Sequence, residues 1–310
     1  MTRSDNDTWD IATSVGATAV MVALARASET NSDDPLIRDE FAEPLVSTPE
    51  LAGVRDQVAS LYADSAEQAD EFAMRQQEMV DYQAVRTHFF DDFFTAAAAA
   101  GIRQHVILAA GLDSRAYRLE WPAGTVVYEI DMPAVLEYKT ATLDACGARP
   151  STTRREVAVD LRHDWPAALT DAGFDPTRPT AWLAEGLLPF LPGAAQEAMF
   201  AALDGLSAPG SRVAVEVFGI EDDRRQEAEE RWKELRAARE QRGQDVSFHP
   251  FELWYGNEGR PDCAAWFRRN GWTTQSVDGR DESTRLGRHV RLPDDEPGFY
   301  NTFVTAESPA

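Results

Sequence analysis

The chain alternates, from about residue 105 onward, between short apolar runs of strand length and longer segments that can hold helices. The apolar runs are rich in β-branched residues, which is typical of buried strands. Such alternation predicts an α/β fold with a mainly parallel, seven-stranded sheet and helices on both faces. The last two strands lie close together and suit an antiparallel, hairpin-like pair. The predicted strands are residues 105–110, 125–130, 154–160, 180–185, 211–218, 272–277 and 299–305.

Residues 1–104 contain no good strand pattern and are predicted to be helical. The longest helical run covers residues 72–100, where apolar side chains recur every three or four positions on one face. The apolar stretch at 15–27 is predicted as an N-terminal helix and not a signal peptide, because acidic residues precede it. We therefore expect an N-terminal helical cap at 1–104 and an α/β core at 105–310.

A highly charged segment at residues 221–242 is predicted to be helical, within an insertion at about 221–250. Glu227 and Arg231 stand four residues apart, as do Glu229 and Lys233, a spacing at which opposite charges stabilise a helix. This pattern favours a solvated helix over an interaction surface specific for a substrate.

Composition narrows the partners that the chain can take. It has 310 residues and a formal net charge of −23, so nucleic acid and anionic membrane surfaces are not expected as partners. No apolar run reaches the ~18 residues of a transmembrane helix. The scattered histidines indicate no metal site. Two cysteines, Cys146 and Cys263, form no framework and suggest a reduced, cytoplasmic protein.

The most informative stretch runs from residue 105 to 131. An apolar strand ends in the small-residue turn Ala109-Ala110-Gly111, and a second apolar strand stops on Asp131, 20 residues after Gly111. In an open parallel sheet, this arrangement predicts a site for a nucleoside-bearing cofactor, with the acid on the ribose. An ordinary strand-to-helix turn with a buried glycine is the alternative.

The glycine count of this turn narrows the cofactor. A dinucleotide site needs three glycines so that the backbone can approach a pyrophosphate, but the corresponding positions are Ala109, Gly111 and Ser114. This turn is therefore poorly suited to binding a pyrophosphate. A cofactor without phosphate, such as S-adenosylmethionine, needs one close backbone approach and one ribose carboxylate, which this segment provides.

Seven motifs together resemble the S-adenosylmethionine-dependent methyltransferase family that is abundant in mycobacteria and related to leucine carboxyl methyltransferases. The resemblance spans nearly the whole chain, and its most specific parts are G-L-D-S-R-A-Y-R-L and A-E-G-L-L-P-F-L. It implies a class I methyltransferase (Rossmann-like) fold with S-adenosylmethionine as the cofactor. The motifs are W-D-I-A-T-S-V-G at 9–16, P-L-I at 35–37, F-A-E-P-L at 41–45, V-R-T at 85–87, F-D-D-F-F at 90–94, and the two specific runs at 111–119 and 184–191.

The resemblance places the nucleoside end of the cofactor at the second and third strands. It implies that Asp131 binds the ribose and that the pair Asp160-Leu161 brackets the adenine. A carboxylate after an apolar strand can accept a hydrogen bond from the adenine amine, and the neighbouring side chain can cover the ring. The alternative for Asp160 is a helix N-cap, for which aspartate is a preferred residue.

The resemblance also implies residues for the methionine end. Arg86 would hold the methionine carboxylate, since arginine can grip a carboxylate with two parallel bonds, and Glu185 would lie beside the amine. The alternatives are a structural ion pair for Arg86 and an acid at a helix start for Glu185. The turn residues Ala110 and Gly111 would approach the cofactor, and Arg115 would pair with an acid or with the cofactor in a supporting role.

The expected reaction is in-line transfer of a methyl group to a small or lipid-like acceptor, with oxygen as the methylated atom by analogy alone. A carboxylate acceptor needs no general base. A hydroxyl needs one, and His88 or an acid near the strand ends would be candidates, with no base identified. Two other functions stay open: a nicotinamide-dependent oxidoreductase, and a non-catalytic protein that binds the cofactor as a sensor or scaffold.

Overall fold

The computed structural model describes residues 10–13, 15–61, 69–218, 230, 233, 237, 240–241, 253–256, 259–288 and 301–309. The charged helix expected at 221–242 therefore lies almost wholly outside the described residues. No helix within these ranges is long and apolar enough to cross a membrane. The α-helices are α1 (Val15–Thr30), α2 (Ala42–Val46), α3 (Ala52–Leu61), α4 (Ala69–Ala99), α5 (Arg115–Arg118), α6 (Pro133–Ala145), α7 (Trp165–Asp171), α8 (Gly193–Gly205), α9 (Cys263–Arg269) and α10 (Gly279–Arg285).

The predicted seven-stranded sheet is confirmed. Its spatial order is β3-β2-β1-β4-β5-β7-β6, and β7 alone runs in the opposite direction to the other six strands. The expected antiparallel pairing of the last two strands is present, with β7 inserted between β5 and β6. The strands are β1 (Gln104–Leu108), β2 (Val126–Asp131), β3 (Thr153–Ala158), β4 (Thr180–Ala184), β5 (Arg212–Phe218), β6 (Thr273–Asp278) and β7 (Asn301–Glu307).

The strand register brings the ends of β1, β2 and β4 level. Leu108, the last residue of β1, pairs with Ile130 of β2 on one side and with Ala184 of β4 on the other. The chain order reverses direction at β1, because β2 lies to one side and β4 to the other. In open α/β sheets, ligands bind at such a switch point, beyond the carboxyl ends of the strands.

Period-two alternation divides the core between the two faces of the sheet. Ile107 and Leu183 pack on one face with α1, α3, α4 and α6, while Leu108 and Trp182 pack on the other with α7, α8 and α9. Both faces are covered by helices, which explains why β1 and β4 are buried along their whole length.

The N-terminal helices pack directly on the sheet and on the turn after β1. The apolar face predicted at 72–100 lies in α4, where Phe90 and Phe94 are fully buried and Phe90 packs against Phe303 of β7. In α1, Arg26 donates from Nη2 to the backbone oxygen of Leu112 at 2.7 Å and from Nε to Asp39 at 2.8 Å. Helix α1 is thus bound to the backbone beyond β1.

A buried lysine joins β2, α6 and the loop after β1. The Nζ atom of Lys139 is 2.7 Å from Oε2 of Glu129 and donates to the backbone oxygen of Asp113 at 3.1 Å. Arg154 also lies 2.7 Å from the same Glu129 oxygen. Both side chains of the Lys139–Glu129 pair are fully buried. Burial removes the hydration of both charges, and their mutual attraction offsets this desolvation cost.

We expect Lys139→Met to lower the free energy of unfolding by about 3 kcal/mol, because it removes one partner of a buried ion pair. This loss of stability is at the lower end of the ~3–5 kcal/mol that is usual for breaking a buried ion pair, because Arg154 still neutralises Glu129. The only other lysine, Lys233, is exposed, and Lys233→Met is the matched control, with a change within about 0.5 kcal/mol. Urea unfolding followed by circular dichroism measures both. Equal effects of the two substitutions would contradict the role of Lys139.

Candidate functional site

The turn after β1 is unusually tight. Ala109 (φ +51°) and Gly111 (φ +46°) are both in the left-handed region, which costs a non-glycine residue about 1 kcal/mol. A Cβ atom on residue 111 would also stand 3.2 Å from the Cβ of Ala19 in α1. Glycine is therefore required at 111, and alanine at 109 is strained. Backbone strain of this kind gathers at functional sites.

Asp131 closes this turn from the end of β2. Its carboxylate accepts hydrogen bonds from the backbone N–H groups of Gly111 and Met132, each at 2.6 Å. Burial raises the pKa of Asp131 above its usual value, and the two N–H groups offset only part of that effect. A carboxylate has about four lone-pair sites, so Asp131 retains capacity to accept further hydrogen bonds.

Glu185 follows β4 and lies between two arginines. Its Oε1 is 2.9 Å from Nε of Arg86, and its Oε2 accepts from Nη1 of Arg115 at 2.7 Å. The next helical turn begins only at Leu188, so the interpretation of Glu185 as an acid at a helix start is wrong. The structure thus brings three of the sequence-derived residues, Arg86, Arg115 and Glu185, into one cluster.

Arg86 has a second acidic partner, Glu216 of β5, which the sequence interpretation missed. Nη1 of Arg86 donates to Oε2 of Glu216 at 3.0 Å. Arg86 is therefore part of a buried ion pair. Its Nη2 group makes no hydrogen bond to any residue that the structure describes, so a role in binding a ligand stays a prediction for that group.

Glu216 is fully buried and surrounded by donors. Tyr82 donates its hydroxyl to Oε1, Asn301 donates from Nδ2 to the same oxygen at 2.5 Å, and Gly186 donates its backbone N–H to Oε2 at 2.7 Å. Together with Arg86, these groups join α4, β4, β5 and β7. The available sequence signal was an acid inside the otherwise apolar run R-V-A-V-E-V-F of β5.

Burial alone would lower the pKa of Arg86, but the charges of Glu216 and Glu185 raise it above its usual range. Arg86 therefore stays a cation throughout the working pH range of the protein. Because Arg86 does not lose its proton, a ligand group beside Nη2 must be an acceptor that is favoured by a permanent positive charge.

Arg115 extends the cluster toward α4 and the turn. Its Nε donates to Asp91 at 2.7 Å, and its Nη1 donates to Asp113 as well as to Glu185. Arg118 donates to the same Asp91 at 2.6 Å. The expected pairing of Arg115 with an acid is confirmed. Asp91 and Asp113 were not recognised from sequence, although both lie in the motifs F-D-D-F-F and G-L-D-S-R.

Asp160 and Leu161 lie beyond the end of β3, at the same edge of the sheet. Asp160 accepts from the backbone N–H of Arg162 at 2.8 Å and from its guanidinium at 2.7 Å. Burial raises the pKa of Asp160, but these bonds and the charge of Arg162 lower it further, below its usual value. The N-cap alternative is wrong, because Asp164 caps α7. Leu161 is half-buried against the core.

His88 lies on α4, two residues beyond Arg86. Its Nδ1 atom is 3.5 Å from Oδ2 of Asp92, one helical turn away, and its side chain is about a quarter exposed. No hydrogen bond joins His88 to the arginine–acid cluster within the described residues. Among the described residues, His88 therefore makes no hydrogen bond or ion pair with the other predicted site residues.

The arrangement can bind a molecule with a polar nucleoside-like end and a zwitterionic end. Asp131 offers acceptor capacity beside a close backbone approach at Gly111. Arg86 and Glu185 offer a cation and an anion beyond β4. Gly111, Asp131 and Glu185 follow or end β1, β2 and β4, and Arg86 reaches this edge from α4 through its contact with Glu185. Ligands of open α/β sheets bind at this edge.

Comparison with known proteins identifies the family to which the chain is similar. The family described as leucine carboxyl methyltransferase matches residues 19–204. A Mycobacterium marinum protein named "Putative S-adenosyl-L-methionine-dependent methyltransferase" is 63% identical over 313 residues, which cover 100% of both chains. A Mycobacteroides abscessus protein with the same name is 52% identical and covers 98% of this chain and 97% of its own. The solved magnesium protoporphyrin IX methyltransferase of Synechocystis PCC 6803, with bound SAH, shares 12% identity at a TM-score of 0.45 and covers 83% and 95%.

We expect Glu216→Gln to lower the free energy of unfolding by about 3 kcal/mol. The substitution removes one of the two buried carboxylates that pair with Arg86, and it places an amide N–H₂ donor against groups that are themselves donors. Glu307→Gln is the matched control in β7, where Glu307 forms a surface ion pair with Arg212 and its side chain is 55% exposed. That change should stay within about 0.5 kcal/mol. Urea unfolding of both variants checks the difference, and a neutral Glu216→Gln would show that the cluster is not coupled to stability.

Proposed function

Because the chain belongs to the leucine carboxyl methyltransferase family and is an S-adenosylmethionine-dependent methyltransferase, we propose that it methylates an oxygen atom of a small or lipid-like acceptor. Its sheet has the strand order of the class I methyltransferase fold. The observation that carries our assignment of the cofactor site is the Asp131 carboxylate, which is held by Gly111 at the strained turn.

The nucleoside end of the cofactor fits the β1–β2 edge. Asp131 would accept the ribose hydroxyls with the lone pairs that Gly111 and Met132 leave open. The backbone of Ala110 and Gly111 would lie against the cofactor, because no side chain at 111 stands in the way. Asp160 and Leu161 would face the adenine, although the hydrogen bonds of Asp160 to Arg162 reduce its remaining acceptor capacity.

The methionine end fits the cluster beyond β4. The Nη2 group of Arg86 would donate to the cofactor carboxylate, and Glu185 would accept from the ammonium group. Glu185 already faces two guanidinium groups, so a third cation beside it requires that Arg86 or Arg115 share the carboxylate. Glu216 keeps Arg86 in place from the opposite side while that sharing occurs.

When bound, S-adenosylmethionine supplies an electrophilic methyl group on a sulfonium. The chain contributes position and desolvation: the arginines and acids are held by buried partners, so the ligand meets an ordered site. Holding two reactants in attack geometry can supply ~7–11 kcal/mol of the barrier. A carboxylate nucleophile needs no base. For a hydroxyl, His88 is a candidate base, and Asp92, 3.5 Å from its Nδ1, would orient the ring.

The N-terminal helices would form a cap that shapes the acceptor site, with residues 1–104 as the cap and 105–310 as the core. The support is the packing of α1 on the cofactor turn, through Ala19 beside Gly111 and through the bond from Arg26 to Leu112. The family match favours this function over a nicotinamide-dependent oxidoreductase, and so does the single glycine of the turn. A cofactor-binding scaffold would bind S-adenosylmethionine without transferring its methyl group.

Asp131→Asn should weaken binding of S-adenosylhomocysteine by about 10–100-fold, because hydrogen bonds to a charged acceptor contribute ~1.5–3 kcal/mol. Isothermal titration of the purified full chain with S-adenosylmethionine, S-adenosylhomocysteine and NADH measures the affinities. Binding of NADH alone by the unmodified protein would overturn the proposal.

The matched control is Asp278→Asn at the N-cap of α10, where asparagine caps as well as aspartate does. Its affinity should equal that of the unmodified protein. Unchanged affinity of Asp131→Asn would mean that the cofactor site is assigned to the wrong residues.

A further inference from the structure

A cavity of about 250 Å³ lies beyond the ends of β4 and β5, and neither the cofactor residues nor the ionic cluster uses it. This volume is far above the ~10–15 Å³ that a single water molecule requires, so the cavity can hold a small organic molecule. Most of its wall is apolar or aromatic. The apolar and aromatic lining residues include Leu188, Pro189, Val217, Phe218, Trp254 and Tyr255.

The cavity adjoins the proposed methyl-transfer centre along two chain segments. Leu188 lies two residues after Gly186, and Phe218 lies two residues after Glu216; both of these earlier residues belong to the ionic cluster. Because an extended chain rises ~3.3 Å per residue, the cavity wall begins within roughly 7 Å of the cluster. A ligand in the cavity would therefore lie close to the residues that are proposed to hold the methionine end of the cofactor.

The cation at the rim of the cavity has no donor left for an anionic ligand. Nε of Arg260 donates to Gly256, its Nη1 donates to Leu188 and Gln196, and its Nη2 donates to Leu191 and Tyr255. These five bonds use all five N–H groups of the guanidinium. Arg260 therefore holds the wall of the cavity together.

The remaining polar lining groups are also engaged or uncharged. Gln196 donates to the backbone oxygen of Pro261, and one oxygen of Asp262 caps α9 by accepting from Ala265 at 2.6 Å. Burial raises the pKa of the Cys263 thiol, so it stays neutral. The negative charge of Asp262 disfavours an anionic ligand further, while Phe218 and Trp254 present an edge-to-face aromatic wall with centroids 5.2 Å apart.

We propose that this cavity binds the body of the methyl acceptor, and that the acceptor is a neutral aromatic molecule whose reacting group is a hydroxyl, not a carboxylate. The inference rests on the proposed function. The hydroxyl oxygen forms a bond to the methyl carbon as the sulfur–carbon bond breaks. The electron pair of that bond stays on sulfur, which gives neutral S-adenosylhomocysteine, and the hydroxyl proton passes to a base or to water.

The first test is binding of two probes, 2-naphthol and 2-naphthoate, to the full chain loaded with S-adenosylhomocysteine. Isothermal titration should show 2-naphthol binding at least tenfold more tightly than the carboxylate. We expect the affinity for 2-naphthol to fall at least tenfold in each of two variants. Val217→Phe fills the cavity, and Trp254→Leu removes part of its aromatic wall. The matched control Ala201→Phe adds the same ring at an exposed position of α8 and should change nothing.

The second test follows labelled methyl groups from S-adenosylmethionine into a small-molecule extract of Mycobacterium marinum. The label should enter a product that survives mild alkali, as a methyl ether does and a methyl ester does not. The amount of label transferred to this product should fall at least tenfold with both cavity variants and should be unchanged with Ala201→Phe. Label that is released by alkali, or that is unaffected by both cavity variants, would overturn the inference.

The two proposals fail in different ways. Loss of S-adenosylhomocysteine binding in the unmodified protein would refute the proposed function, and the inference with it. Normal S-adenosylhomocysteine binding, with 2-naphthol bound no better than 2-naphthoate or equally well by the cavity variants, would refute the cavity inference alone. The use of both Val217→Phe and Trp254→Leu keeps the test decisive if one of them fails to fold.

Discussion

The fully buried carboxylate of Glu216 is the constraint on which the site depends. A desolvated charge is tolerated only when it is paired and hydrogen-bonded, so every element that supplies a partner must arrive in register. Arg86 and Tyr82 come from α4, Gly186 from the loop after β4, and Asn301 from β7. The same arginine then fixes Glu185. The protein thus uses one buried anion to order the cation and the anion that are proposed to hold the cofactor.

Most of the fold was predictable from periodicity, while the ionic partners were not. All seven strands and the long helix α4 were predictable, although β3 and β6 are mostly polar and exposed and only the other five strands have a clear apolar pattern. Asp131 follows from its position at the end of an apolar strand. The partners of Glu216 lie 134 residues away at Tyr82 and 85 away at Asn301. A single sequence carries no signal of which distant acid meets which base. It showed only that an acid stood in an apolar strand.

Local chemistry explains the remaining differences. Asp160 and Asp164 are both acceptable N-caps, and only the place where α7 begins decides that Asp164 takes that role. The number of glycines does not fully describe the turn after β1, because Ala109 adopts a left-handed backbone conformation without being glycine. That strain is held in place by the bond from Gly111 to Asp131 and by α1 above it. A turn so constrained suits one close backbone approach better than the several that a pyrophosphate needs.

Strand alternation separates the two halves of the proposed reaction. Successive residues of β5 point to opposite faces of the sheet, so Glu216 turns toward α4 and the ionic cluster, whereas Val217 turns toward the cavity. The polar ligand end meets permanent charges on one side. On the other side, the donors of Arg260 are consumed by the protein, and apolar contact dominates. Among the described residues, a carboxylate there would lose its hydration without gaining a guanidinium donor of Arg260, whereas a neutral ring would lose less.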